Sequence, residues 1–170
     1  PGYHKLLFVG DVAVIPAPDI KQKQIIMECL VRTAKSVGVE LPKVAIIAAT
    51  EQVLASQPAT IDAAMLSKMV DRGQIKGCIA DGPLALDVAI DKESVEIKGL
   101  VSPVAGDADC LLFPNIESGN VFYKANSKLV KGVRQAGILV GAKVPCVLSS
   151  RADSIDTKLN SIAIAAMSVK

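Results

Sequence analysis

The 170-residue sequence predicts an α/β fold with a largely parallel sheet carrying helices on both faces. Three observations predict it. Continuous apolar runs such as KVAIIAAT at 43–50 read as strands covered on both sides. Stretches with apolar residues at three- and four-residue steps separate these runs and read as helices. The chain is 51% hydrophobic with three Phe, two Tyr and no Trp, so its core must be built from aliphatic side chains.

The elements follow in order. KLLFVGDVAVIP at 5–16 predicts a hairpin or bent strand pair, interrupted by Gly10 and Asp11 and ended by Pro16 and Pro18. From Asp19, the positions Ile20, Ile25, Ile26, Cys29, Leu30, Thr33 and Val37 mark a helix of about five turns, with Gly38 as its C-cap. A strand at 43–50 precedes a helix from Thr60 to about Arg72, with Ile61, Ala64, Met65 and Met69 along one side. A strand at 75–80 runs into the loop Asp81-Gly82-Pro83, and LALDVAI makes a helix turn. Residues 92–106, with Gly99, Pro103 and Gly106, are expected to be irregular. A buried strand at 109–113, a helix at about 119–131, strands at 136–141 and 144–150, and a terminal amphipathic helix complete the chain.

Composition removes several function classes. The formal charge of +2 is spread along the chain, with no basic stripe for nucleic acid. No run of roughly 18 apolar residues occurs, so no membrane span is expected. The sequence shows no secretory signal pattern, and a cytoplasmic location is expected. Cys29, Cys78, Cys110 and Cys146 are widely spaced with no CxxC pair, which predicts reduced structural thiols rather than zinc ligands or disulfides. No Walker A loop, GxGxxG turn or Gly-x-Ser-x-Gly elbow is present, so nucleotide hydrolysis and serine esterase chemistry lose support.

In a parallel α/β sheet, ligands bind where strands end and helices begin, because free N–H groups gather there. Four such loops carry unusual residues. The first is Asp81-Gly82-Pro83, where Gly82 permits a tight turn and Pro83 suits the first position of a helix. The second is the stretch 114–120, in which Asn115, Gly119 and Asn120 crowd polar groups and a glycine at a helix start; Asn115 or Ser118 also serves as an N-cap. The third is Gly141-Ala142-Lys143, where Lys143 is either a ligand cation or a solvated turn residue. The fourth is Ser149-Ser150-Arg151-Ala152-Asp153-Ser154. A helix cap accounts for Asp153 or Ser154 but not for Arg151, whose planar fork suits a phosphate or acyl phosphate oxygen.

At these loops the sequence resembles the phosphate acyltransferases, the phosphotransbutyrylases and their phosphotransacetylase relatives. The segments PATIDAAMLSKMVDRGQIKGCIADGPLALDVAI, GDADCLLFPNIESGNVFYK, AGILVGAKVPCVLSSRADS and TKLNSIAIA carry the likeness through nearly the whole chain. The PATIDAA and DGPLALD segments resemble the butyryl branch, whereas Gly-Asn-x-x-Tyr-Lys and Ser-Arg-x-x-Ser are shared with the acetyl branch. The resemblance implies the second domain of a two-domain fold like that of isocitrate and isopropylmalate dehydrogenases. Residues 1–150 would form the α/β domain, and 151–170 a terminal helix packing towards an N-terminal domain. It implies exchange of coenzyme A and phosphate on a short acyl group, with coenzyme A as substrate, no cofactor and no metal in the chemical step. It implies a homodimer acting on acyl-CoA and phosphate. Ser150 and Arg151 match the family's catalytic pair; the acetyl branch's proposed proton-accepting aspartate aligns with Thr157, leaving Asp156 and Asp153 as the available carboxylates. Asp81, Gly82, Asn115, Gly119, Asn120 and Lys143 are the expected substrate and coenzyme A contacts. Other readings of the resemblance are an acyl-CoA-sensing domain without catalysis and an acyl phosphate synthase acting on acyl carrier protein.

Overall fold

Four strands, β1 (Phe8–Gly10), β2 (Lys43–Ile47), β3 (Ile79–Leu84) and β4 (Cys110–Leu112), form a parallel sheet ordered β1-β4-β2-β3 in the computed structural model, which describes residues 2–169. Alternation along β2 and β4 sends successive side chains to opposite faces and creates two cores. On one face Val44, Ile46, Cys110 and Leu112 pack with Met27, Leu30 and Leu66. On the other Ala45, Ile47, Leu111 and Phe113 pack with Val88, Ala89 and Val104. Helices therefore cover both faces, as the unbroken apolar strands require.

The first face is covered by α1 (Ile20–Ser36) and α2 (Pro58–Asp71). Asp19 caps α1 by accepting from the Gln22 backbone N–H at 2.8 Å, while the Gln22 side chain accepts from the Asp19 N–H at 2.9 Å. The second face is covered by α3 (Leu86–Ile90) and by the segment through α4 (Lys92–Lys98) to Ala108. The helix at 92–98 replaces the irregular stretch expected from the sequence. Asp91 caps it through the Ser94 N–H at 2.9 Å, and Gly99 ends it at φ 62°, a left-handed conformation suited to glycine.

Three other expectations change. Residues 12–15 form no strand, because the Asp11 carboxylate accepts the N–H groups of Ala13, Val14 and Ile15 at 2.8, 3.1 and 2.7 Å and folds them into a turn. β1 pairs with β4 instead. The expected strands at 136–141 and 144–150 contract to β5 (Ile138–Leu139) and β6 (Cys146–Val147), an antiparallel pair separate from the main sheet. Their connection is too short for a parallel crossover. Gly82 and Pro83 do not turn into a helix either. They lie within β3, where Ala45 pairs with Asp81 but Ile47 with Leu84, so one extra residue bulges beside Ile46.

α5 (Ile116–Leu129) follows β4, and α6 (Ile155–Met167) packs on β5 and β6. Buried Ser161 of α6 accepts the Gly137 N–H at 2.9 Å and donates to the Thr157 carbonyl at 2.6 Å. At the amino ends of the strands Asp107 gathers the Lys43 ammonium at 2.8 Å, Lys5 at 3.0 Å and His4 at 3.0 Å. These partners, Lys43 foremost, hold the Asp107 carboxyl well below the usual carboxylate range. Among the described residues no helix is long and apolar enough to cross a membrane.

Candidate functional site

The opposite rim, where strands end and α1, α2 and α5 begin, holds Asn115, Gly119 and Asn120, and α5 leads from it to the turn that carries Ser150 and Arg151. α5 organises it. Asn115 is the N-cap, accepting the Ser118 N–H at 3.0 Å and the Ser118 hydroxyl at 2.7 Å. Gly119 faces the main-chain carbonyl of Asp11 so closely that a Cβ at 119 would collide with it. Asn120 donates from Nδ2 to the Val12 carbonyl at 2.9 Å. The Ile116 N–H reaches the Pro16 carbonyl at 3.0 Å. Together these contacts clamp the 11–16 loop against the first turns of α5, so Asn115, Gly119 and Asn120 build one wall with Asp11, a residue the sequence reading left out of the site. The signal was available: an aspartate directly after a strand, followed by free N–H groups, is a side-chain-to-backbone turn.

One turn further along α5, Tyr123 donates its hydroxyl to Asp153 Oδ2 at 3.2 Å. The same oxygen accepts the Ser150 N–H at 2.7 Å, and the Asp153 N–H returns to the Ser150 carbonyl at 3.1 Å. Residues 150–153 thus form a closed turn with Arg151 exposed at its outer corner. The Lys128 ammonium also touches it, at 3.3 Å from the Ala152 carbonyl. Burial, reinforced by the neighbouring Asp153 carboxylate, pushes the Tyr123 hydroxyl up to about 12, so the phenol stays a neutral donor at physiological pH. Tyr123 was visible in the Gly-Asn-x-x-Tyr-Lys pattern, three residues after Asn120 and so adjacent on the helix surface.

Ser154, not Asp153, caps α6: its hydroxyl accepts the Thr157 N–H at 3.1 Å. Asp156 is exposed in the first turn of that helix. Lys143 is exposed on the connection between β5 and β6.

Asp81 and Gly82 stand apart from these groups. They belong to β3, which is separated from β4 by β2, a lateral offset of roughly 10 Å at ordinary strand spacing. Asp81 accepts the Gly82 N–H at 2.8 Å, and Gly82 presses on Ile46 and Ala63. Gly82 therefore serves packing between β3, β2 and α2.

The arrangement offers an exposed guanidinium and hydroxyl on a pinned turn ahead of a helix N-terminus, groups able to hold an anionic oxygen. Compared with known proteins, residues 3–166 match the family model described as phosphate acetyl/butaryl transferase. The chain is 52% identical over 165 residues to the phosphate butyryltransferase of Clostridium acetobutylicum, covering 97% of this chain and 54% of that protein. It is 47% identical over 167 residues to the phosphate acetyltransferase of Thermotoga maritima, covering 98% and 56% respectively. A solved branched-chain phosphotransacylase from Enterococcus faecalis superposes with a TM-score of 0.87 at 33% identity, over 94% of this chain and 57% of that one. The chain spans about half the length of the curated relatives it matches.

Proposed function

The chain belongs to the phosphate acetyl/butaryl transferase family, and from that membership we propose that it forms one wall of an enzyme exchanging coenzyme A for phosphate on a short acyl group. The observation that carries the reading is the exposed Ser150-Arg151 pair on a turn tied down by Asp153, immediately before α6. Butyryl-CoA and phosphate would give butyryl phosphate and coenzyme A, and the reverse.

In the direction towards acyl-CoA, the coenzyme A thiol gives up its proton and its sulfur attacks the acyl phosphate carbonyl. The tetrahedral oxyanion collapses by breaking the bond to the phosphate oxygen, and phosphate leaves. Arg151 would neutralise the phosphate or the oxyanion, and Ser150 would donate a hydrogen bond to it. Asp156, solvent-facing at the start of α6, is the carboxylate proposed to take the thiol proton. Asn115, Gly119, Asn120 and Lys143 would flank coenzyme A or the acyl phosphate. Asp81 and Gly82 would act at a distance, by shaping the edge of the sheet. No cofactor is required by these steps.

The facing wall would come from a second domain, as in a two-domain fold like that of isocitrate and isopropylmalate dehydrogenases. The exposed apolar side chains of α6 and β6, among them Ile155, Leu159, Ile162 and Val147, support such a covering partner. Exposed Ile25 on α1 and Met65 on α2 support a homodimer through that face. The lack of a membrane-crossing helix among the described residues is compatible with a cytoplasmic enzyme.

The test is thiol release by the complete enzyme from acetyl-, butyryl- and isobutyryl-CoA in phosphate buffer. Phosphate-dependent release, fastest with a four-carbon group, is expected. Binding of acyl-CoA with no thiol release in phosphate would instead identify a sensing domain. The 170-residue chain assayed alone is expected to fold without transferring acyl groups.

A further inference from the structure

We propose that Tyr123 and Asp153 form a positioning pair that sets the Ser150-Arg151 turn, with Asp153 acting through the backbone rather than as the proton acceptor. The proposal rests on the acyl-transfer reading above and concerns how that site is held.

Asp153 does not cap α6, since Ser154 does. Its Oδ2 instead receives two donors, the Ser150 N–H at 2.7 Å and the Tyr123 hydroxyl at 3.2 Å. The first bond fixes the backbone from which the Ser150 hydroxyl and the Arg151 guanidinium project. The second fixes Asp153 itself. Ser150, Arg151 and Ala152 are all exposed, so side-chain packing supplies little of the precision that two anion-binding groups need.

Tyr123 is well placed to supply it. Its neighbour Phe122 packs against Phe113, just after β4, with ring centroids 5.3 Å apart and the rings tilted by 45°, and Asn120 ties the preceding turn to the Val12 carbonyl. The position of the parallel sheet is thereby passed along α5 to the phenol, from the phenol to Asp153, and from Asp153 to Ser150. A carboxylate engaged in this way has half its acceptor capacity committed to structure, whereas Asp156 has none of these bonds among the described residues.

The experiment compares wild-type complete enzyme with Tyr123→Phe, Asp153→Asn and the double variant. It follows acyl transfer from butyryl-CoA to phosphate, and the pH–rate profile of the opposite direction, butyryl phosphate to coenzyme A, in which the thiol proton must be accepted, with thermal melts on every protein. Tyr123→Phe should lower kcat/KM for phosphate about tenfold, the scale of one hydrogen bond to a charged group, with KM for butyryl-CoA unchanged. The double variant should be no worse than Asp153→Asn, because both changes cut one chain of contacts. The acid limb of the pH–rate profile should keep its midpoint in every variant. Wild-type kinetics in Tyr123→Phe, multiplying effects in the double variant, or loss of the acid limb in Asp153→Asn would each overturn the proposal; the last would make Asp153 the base. If the wild-type enzyme shows no phosphate-dependent transfer, the acyl-transfer reading fails, and hydrogen exchange at the Ser150 amide decides the pair on its own. Faster exchange in both single variants upholds it, and unchanged protection overturns it.

Discussion

Asn120 on α5 and Val12 after β1 are joined by a hydrogen bond of 2.9 Å, from the side-chain amide to the main-chain carbonyl, across 108 positions of sequence. This bond holds the loop after the first strand against the helix after the fourth, and with it the rim on which the candidate site stands. Asn120→Asp replaces the donor with a carboxylate oxygen facing a carbonyl oxygen. The change should destabilise the protein by about 1–3 kcal/mol, the cost of an unmatched, partly buried polar pair, and should speed exchange of the Ile116 amide that bonds Pro16. A variant with unchanged melting and unchanged exchange would show that the Asn120–Val12 bond contributes nothing to holding the 11–16 loop, leaving the Ile116–Pro16 bond and the Gly119 contact to do so.

Gly82 makes a different demand. A Cβ there would lie 2.7 Å from the Ile46 Cβ and 2.9 Å from the Ile46 carbonyl oxygen. Neither is the loose end of a flexible side chain, so relief requires β3 to move away from β2. Gly82→Ala should cost about 1–3 kcal/mol, in the range of overpacked interiors, read from the urea midpoint. Gly2→Ala, which meets nothing within 4 Å, is the control. Equal midpoints for the two variants would return Gly82 to the role of a turn residue.

Gly82 also shows where the sequence was legible and where it was not. Asp-Gly-Pro is a strong local turn signal, yet tertiary pairing keeps these residues in a strand, because the bulge lets Leu84 rejoin Ile47 in register. Local chemistry was decisive where it was self-sufficient. The Asp19-Gln22 capping box begins α1, and the unbroken apolar run at 44–47 makes the buried part of β2. It misled where a side chain captured the backbone: Asp11 removes 13–15 from any strand, and Asp91 with Gly99 gives α4 both its ends. At the site, Asn115, Gly119 and Asn120 were legible as a polar helix start. Tyr123 was not read as a site residue because its partner, Asp153, lies 30 positions away.

The Asp107 cluster predicts an acid-sensitive contribution to stability. Lys43, Lys5 and His4 hold the folded carboxyl below its ordinary range, so Asp107 stabilises the fold above the unfolded-state value near pH ~4. That contribution is lost as pH falls below ~4 towards the folded value. The urea midpoints of wild type and Asp107→Asn should therefore differ at pH 7 and converge on acidification. A constant gap down to pH 3 would mean that the carboxylate's charge contributes nothing and only its shape matters.

Arg151 yields the sharpest test of the proposed chemistry. It is exposed at the corner of a turn whose ends are fixed by the bonds between Ser150 and Asp153, so its substitution should leave the fold intact. Arg151→Lys keeps the positive charge but exchanges a planar fork, able to hold two oxygens of a phosphate or an oxygen and its developing charge, for a single ammonium. If Arg151 binds the transferring group, the loss should be on the order of a hundredfold in kcat in the complete enzyme, corresponding to about 3 kcal/mol of transition-state stabilisation, with no change in melting temperature. If Arg151 merely faces solvent beside a helix start, the same change should be almost silent, as surface substitutions are within about 0.5 kcal/mol. Kinetics near wild type in a well-folded Arg151→Lys enzyme would remove this residue from the site. They would leave Ser150 and the α6 N-terminus to hold the anion, a weaker arrangement that the measured KM for phosphate would have to accommodate.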